Sequence, residues 1–279
     1  MLKYYIKIFY KKLWKEGVLA KFKLIRNKMI KLAINGYYGR MGQTVAKEAL
    51  KDEKIEVIYG IDKIQKENPY NVEVVSSAEE MKQKPDVIID FSIPKATFEV
   101  LEYAKQNKVP MVIATTGFSE EEIEKIKEIS KEIPIFRSSN MSFDINLMSK
   151  IVAEVAKKLQ DSDIEIIETH HNRKIDSPSG TAILLADAIN NALDNKMHYE
   201  FDRHSKREKR SKDEIGFSSI RGGNIVGEHT VQFYSENETF EIKHTSYSSS
   251  VFAEGAIKAA KYVASKDAGL YNMDALVEE

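Results

Sequence analysis

"IKLAINGYYGRMGQTVAKEAL", residues 30–50, joins a short apolar run to a helical pattern through three glycines. Residues 30–35 read as a buried strand and residues 41–52 as a helix. Gly36, Gly39 and Gly42 fit G-x-x-G-x-x-G, close to the dinucleotide fingerprint G-x-G-x-x-G. The chemistry behind both spacings is the same: a tight turn, close backbone approach to a pyrophosphate, and a helix N-terminus aimed at its charge. Arg40 inside the turn adds a cation. Glycine-rich strand–helix turns also occur without a ligand, so the turn speaks first for the fold.

Outward from this stretch, strands are expected at 55–62, 72–77, 86–92, 109–116 and 133–139, with helices at 95–107 and 123–132. Ser119 and Glu122 form a capping box ahead of the second helix. Strands separated by helices of about a dozen residues indicate βαβ units and a parallel sheet. The second strand ends in Asp62, where an acidic group accepts hydrogen bonds from an adenosine ribose. Lys63 beside it suits a 2′-phosphate, although both residues also suit a plain turn. "ATTGF" (114–118) lies at the carboxyl end of a later strand, where α/β folds bind ligands.

The second half has a different texture. Ile145, Met148, Val152, Val155 and Leu159 share one face of an expected helix. A polar stretch at 202–214 mixes both signs of charge and reads as a solvated loop. Residues 215–235 and 238–248 are β-branched and glycine-containing, and read as long antiparallel strands. Residues 251–265 read as a final helix with a small-residue face.

The 279 residues suit one large domain or two ordinary ones. Of 42 basic and 43 acidic side chains, nine basic and one acidic fall in residues 1–28. A net charge of −1 gives no reason to expect a nucleic-acid partner. Cysteine is absent, which excludes disulfides and thiolate metal sites and permits the reducing cytoplasm we expect. Residues 1–28 hold no apolar run long enough to span a bilayer, so no membrane partner is expected. They read as a basic amphipathic anchor, a disordered arm, or translated sequence ahead of a true start at Met29; we favour the last.

"ETHHNRKIDSPSGTA", residues 168–182, gathers two imidazoles, a lysine and a Ser-Gly-Thr turn between apolar runs. Adjacent His170 and His171 point to opposite faces of a strand and do not readily chelate one ion. The other four histidines show no metal spacing, so no metal is expected. One histidine of the pair has a structural role as its plainest reading. The segment as a whole says more. Lys174 supplies a cation, and Pro178–Thr181 open a helix whose free amides point back at the loop. A cation beside a helix N-terminus traps a carboxylate, and a histidine there moves a proton near neutral pH. The expected substrate is a small anion that receives hydride and proton.

Together, "GYYGRMG", "DFSIP" (90–94), "TTGF", "SNMS" (139–142), "ETHHNRKIDSPSGTA", "IRGGNIVGEHTV" (220–231) and "VFAEGAIKAAKYV" resemble the dihydrodipicolinate reductase family. These are the 4-hydroxy-tetrahydrodipicolinate reductases of lysine and diaminopimelate biosynthesis. The resemblance runs from Met29 to the C-terminus in the family's order. It implies a Rossmann-like, parallel-sheet nucleotide domain plus an α+β substrate and oligomerisation domain with a mixed or antiparallel sheet. The implied boundaries are 29–141 with 250–279 for the first and 142–249 for the second, with 1–28 outside the family pattern.

By matching positions, the family's NADH or NADPH would lie on Gly36, Tyr37, Tyr38, Gly39, Arg40 and Met41, with Asp62 and Lys63 at the ribose. Ala114, Thr115, Thr116, Ser139, Asn140, Met141 and Ser142 would line the nicotinamide half. His170 and Lys174 would be catalytic, and His171, Gly180 and Thr181 would bind the carboxylates of a small dicarboxylate. The family is usually a homotetramer. Tyr37 and Tyr38 stand where small residues are often found, and room for a nucleotide there requires both rings to point outward. Two rival readings are another two-domain nicotinamide dehydrogenase and a non-catalytic NAD(H) sensor. Neither needs the His170–Lys174 segment.

Overall fold

The structure, a computed structural model, describes residues 29–64 and 66–279. The basic segment 1–28, with the three readings offered for it, lies outside the described residues. The chain forms two compact units. Within the described residues one runs to Ile135 and takes in Val263–Gly269; the other comprises Phe136–Tyr262 and Leu270–Glu279.

In the first unit, strands β1 (Ile30–Asn35), β2 (Ile55–Ile61), β3 (Glu73–Val75), β4 (Val87–Asp90), β5 (Met111–Ile113) and β6 (Pro134–Arg137) alternate with helices α1 (Arg40–Ala49), α2 (Pro94–Asn107) and α3 (Glu120–Ser130). The sheet order is β3-β2-β1-β4-β5-β6, with β12 (Gly269–Tyr271) beyond β6. The β1–β2, β1–β4, β2–β3 and β4–β5 pairs are parallel. This is the doubly wound order, and its direction reverses between β1 and β4, where such sheets hold nucleotides. The central strands are mostly apolar because helices cover both faces of a parallel sheet. Leu32, Ile34, Ile88, Ile89, Met111 and Ile113 have no exposed surface, and burying each such side chain contributes about 1.5–3 kcal/mol. Ser119 caps α3 with both halves of the expected capping box.

The second unit contains α4 (Phe143–Lys158), β7 (Asp163–His170), α5 (Gly180–Ala192), β8 (His198–Glu200), β9 (Glu214–Arg221), β10 (Gly227–Tyr234), β11 (Thr239–Ser246), α6 (Ser250–Val263) and α7 (Met273–Val277). Its sheet order is β11-β10-β7-β9-β8. Burial alternates along β7, with Ile164, Ile166, Glu168 and His170 inward. Ile164, Ile166, Val231 and Phe233 pack on Met148 and Val152 of α4 and Leu185 and Ile189 of α5. Ile167, Thr169, Thr230 and Gln232 lie half-buried on the other face.

The sheet is mixed, one of the two forms expected: β10 pairs antiparallel with β7 and β11, but β9, read from the sequence as antiparallel, runs parallel to β7 and β8. The connection from β7 to β9 carries α5, and a helical crossover returns the chain in the same direction. The polar stretch 202–214 is mostly exposed, yet Arg210 is tied down. It donates to Glu165 at 2.7 Å and to the Ile164 and Glu214 carbonyls at 2.9 and 2.7 Å. By contacts, residues 136–141, 250–262 and 270–279 cluster with the second unit. Gly255 of α6 packs so closely on Met141 that an added Cβ would lie 1.7 Å from its carbonyl oxygen.

Candidate active site

The glycine turn of the first unit fits a nucleotide phosphate. Gly36 has φ +76°, and a Cβ there would lie 2.6 Å from the Phe91 carbonyl oxygen. A Cβ on Gly42 would lie 2.2 Å from the Gly36 oxygen, so only glycine lets α1 start this close to the turn. No side chain caps α1 and its first turn holds no acid. The amides opening α1 are therefore donors without an intrahelical acceptor, suited to an anion. The preceding amides are already used. Those of Gly36 and Tyr37 donate to the Ile61 carbonyl at 3.0 and 3.3 Å, and that of Gly39 to Gly36 at 3.0 Å.

The tyrosine rings do not point outward, the orientation the sequence reading required for nucleotide room, but turn into the protein. Tyr37 is fully buried. Its ring lies over Gly60, where a Cβ would come within 2.5 Å of it, and its hydroxyl donates to Asn68 at 2.8 Å. Tyr38 packs edge-on against it at 5.2 Å. The missing side chain of Gly60 absorbs the bulk. Asp62 accepts the Tyr38 amide and the Ile64 amide, both at 2.9 Å, so the turn role holds. A carboxylate has about four acceptor positions, and two remain for a ribose. Lys63 meets Glu99 at 2.7 Å on the surface.

A residue given no role from the sequence organises the loops beside this turn. Asp90, fully buried, accepts from Asn35 at 2.8 Å, Ser92 at 2.5 Å, Thr97 at 2.6 Å and Thr115 at 2.9 Å. Burial pushes its carboxyl above the ordinary range, against the pull of those four bonds. Thr115 is thus committed to Asp90 and also accepts the Ser92 amide at 2.9 Å. Ala114 is buried beside it, and Thr116 is exposed. The signal was legible: an acid ends the apolar strand "VIID", and buried acids require partners.

In the second unit, His170 ends β7 and turns inward. Its Nδ1 lies 2.5 Å from Glu168, two residues earlier on the same face. Arg221 grips Glu168 with both arms, at 2.8 and 2.6 Å, and the Ser179 amide adds a bond at 3.2 Å. Burial alone would raise the Glu168 carboxyl, but hydrogen bonds from Arg221, Ser219 and His170 outweigh it and hold it at about 2. Burial lowers the His170 imidazole despite the neighbouring carboxylate. His229 stands 5.0 Å from His170, ring to ring, and its Nε2 meets the Ser179 hydroxyl at 2.9 Å. Burial lowers His229 to about 3, so it is neutral near pH 7.

Ser179 also caps α5 by accepting the Ala182 amide at 3.2 Å. The α5 first turn holds no acid, so the Gly180 and Thr181 amides stay available to a carboxylate. Asn140 donates to the Thr181 hydroxyl at 3.0 Å, which joins the 139–142 stretch to α5. Ser142 caps α4, Met141 is buried and Ser139 is exposed. A cavity of about 40 Å³ is lined by Asn140, Ser142, His170, Thr181, Gly227 and His229, among others. It holds roughly one water.

The structure therefore gathers His170, Thr181, Asn140 and Ser142, while His171 and Lys174 lie outside the cavity lining. His171 is anchored by its amide to the Ile225 carbonyl at 2.7 Å. Lys174 pairs with Asp176 at 2.8 Å, and its charge acts on His170. Glu168, Arg221 and His229 lie in motifs quoted from the sequence that assign them no role, and Ser179 is expected there only to help open the helix. The Glu168 signal was its two-residue spacing from His170 in an alternating strand. Among the described residues no three His, Asp or Glu side chains are grouped to hold a metal.

Comparison with known proteins identifies the lineage. Residues 30–141 match the family model "Dihydrodipicolinate reductase, N-terminus", and residues 144–277 match "Dihydrodipicolinate reductase, C-terminus". A 4-hydroxy-tetrahydrodipicolinate reductase of Caldanaerobacter subterraneus subsp. tengcongensis is 48% identical over 251 residues, 90% of this chain and 99% of that protein. One from Clostridium tetani is 43% identical, over 89% of this chain and 97% of its own length. The solved dipicolinate-bound dihydrodipicolinate reductase of Paenisporosarcina sp. TG-14 superposes with a TM-score of 0.74 at 26% identity, covering 88% of this chain and 97% of that one. With both family models matched in order on a doubly wound nucleotide unit and a mixed-sheet second unit, the chain belongs to the dihydrodipicolinate reductase family.

Proposed function

We propose that this chain reduces 4-hydroxy-tetrahydrodipicolinate to tetrahydrodipicolinate, with NADH or NADPH as hydride donor, in lysine and diaminopimelate biosynthesis. The observation that carries this reading is the buried Glu168–His170 pair beside the free amides opening α5. In this reading the first unit binds the nucleotide. Amides at Arg40 and Met41 take the pyrophosphate, Gly36 and Gly39 give it room, Tyr37 and Tyr38 support the turn, and Asp62 and Lys63 meet the ribose. Ala114, Thr115, Thr116 and the Ser139–Ser142 stretch serve the nicotinamide half. The bound cofactor supplies hydride.

The protein's own residues do the rest. Gly180 and Thr181 amides hold one carboxylate of the substrate, and His171 and Lys174 assist with the pair. Loss of hydroxide leaves a ring carbon with positive character, which accepts hydride. His170 or Lys174 supplies the proton that turns the departing hydroxide into water.

We also place the enzyme in the cytoplasm; no helix of the described residues is long and apolar enough to cross a membrane. We infer a homotetramer, supported by the half-buried outer face of the second sheet around Ile167 and Thr230. The decisive assay supplies freshly made 4-hydroxy-tetrahydrodipicolinate and follows NADH and NADPH oxidation in parallel. Oxidation that depends on the dicarboxylate is expected; none with either cofactor overturns the reading. Lys174→Ala is expected to lower turnover by about 10²–10⁴-fold while NADH binding survives. Near-normal turnover removes the lysine from the chemistry.

A further inference from the structure

Both oxygens of Glu168 are fully engaged, and the pattern of donors has a directional consequence. One takes Arg221 at 2.6 Å and the Ser179 amide at 3.2 Å. The other takes the second arm of Arg221 at 2.8 Å and His170 Nδ1 at 2.5 Å. A guanidinium and a backbone amide can only donate. The carboxylate is therefore ionised, takes the Ser219 hydroxyl as a further donor, and is an acceptor at every contact; an unprotonated Nδ1 facing it would set two lone pairs against each other.

On the other side of the ring, Gly227 leaves space. A Cβ there would sit 3.0 Å from His170 Nε2, and both residues line the cavity. We propose that Glu168, gripped by Arg221, is a positioning residue that keeps the proton on His170 Nδ1, so that Nε2 is the one nitrogen exchanging a proton with the substrate. The proposal rests on the function assigned above for its last clause. Its first clause concerns the free protein alone.

The remaining groups facing the imidazole do not compete for Nδ1. His229 from β10 is neutral and bound to Ser179. His244 of β11 lies opposite His229 in the strand register. Lys174 is paired with Asp176. Arg221 also donates to the Asp176 carbonyl at 2.8 Å, which ties the Lys174 loop to the same carboxylate clamp.

The test is Glu168→Gln in the full chain. A glutamine must place its NH2 at one of the two oxygen positions. At the first it would face two obligate donors, Arg221 and the Ser179 amide. At the second it faces one, Arg221, plus an imidazole able to accept. The NH2 should thus turn to His170 and force the proton onto Nε2. Long-range proton–nitrogen correlation spectra of histidine-labelled protein read this directly. The wild type should show protonated Nδ1 and bare Nε2 on neutral His170, and Glu168→Gln the reverse.

In the assay, kcat should fall about 10²–10⁴-fold, by the precedent of a carboxylate-to-amide change behind a catalytic histidine. KM should move far less. The limb of kcat/KM set by His170, the alkaline one for a proton donor, should shift to lower pH, because the carboxylate raises the imidazole. Arg221→Lys keeps a cation but loses the fork and should cost about tenfold in kcat.

Bare Nδ1 in the wild type overturns the proposal without any variant. So does a Glu168→Gln protein with the wild-type tautomer and kcat within twofold. If Glu168→Gln does not fold, an unchanged Arg221→Lys pH profile overturns it. A wild type that shows the Nδ1 proton yet does not oxidise NAD(P)H removes the assigned function and leaves the tautomer assignment standing.

Discussion

Asp90 in the first unit and Glu168 in the second are each all but fully buried, and they are satisfied by opposite means. Asp90 is surrounded by neutral donors, one amide and three hydroxyls. Glu168 is held mainly by a guanidinium, an imidazole and a backbone amide, with one hydroxyl, that of Ser219, beside them. Hydroxyls can reverse and accept, so the Asp90 cluster tolerates either protonation state, and burial raises that carboxyl. A guanidinium cannot reverse, so Glu168 stays charged down to about 2. The first arrangement ties loops together. The second imposes a direction on every proton around it, which is what a proton-transfer residue needs behind it.

The largest expected effect that would break this contrast is at neutral pH. Glu168→Ala leaves Arg221 and His170 without their anion and should cost about 3 kcal/mol, seen as a lower urea midpoint. A loss no greater than that of a surface substitution would show the pair to be ornamental.

Acid comes next. His229 is lowered from 6.5 to about 3. The unfolded chain therefore binds its proton first as pH falls, and stability declines below about 6.5. Between about pH 7.5 and about pH 4.5 the loss should be roughly 2–3 kcal/mol. Glu168, depressed from 4.5 to about 2, gives stability that is whole above its unfolded value and drains away below it. Asp90, raised, has the opposite sign. Urea titrations of the wild type and His229→Phe across this range check the first slope, which should flatten in the variant.

Asp90→Asn should cost only about 1 kcal/mol, since it removes a buried charge and the hydroxyls can turn to face the new NH2. A cost equal to that of Glu168→Ala would erase the distinction drawn here. The smallest effect is expected at Gly227→Ala. Its Cβ would press on His170 Nε2 from 3.0 Å, lowering kcat a few-fold while stability changes by less than about 1 kcal/mol.

Local order was legible because its causes are local. Periodicity located β1 and the helix of 94–107 to within a residue and α1 to within three, and the three glycines marked a turn that only glycine can make. The parallel direction of β9 was not legible, because strand direction is decided by where the chain goes between strands. Nor was the inward turn of Tyr37, which depends on Gly60, a residue on a different strand. Glu168 and Arg221 are 53 positions apart. Nothing in either neighbourhood names the other, although the spacing of Glu168 and His170 on one alternating strand did place an acid beneath an imidazole.

The parallel register of β7 and β9 sets Thr169 against Ile220 and His170 against Arg221. Side chains alternate along a strand, so adding or removing one residue within Glu214–Arg221 would swing the guanidinium to the opposite side of the sheet. The exposed residues 203–209 carry no such constraint. Length variation among designed or natural versions of this protein should therefore collect in that loop, while the eight positions of β9 keep their count even where their identities drift.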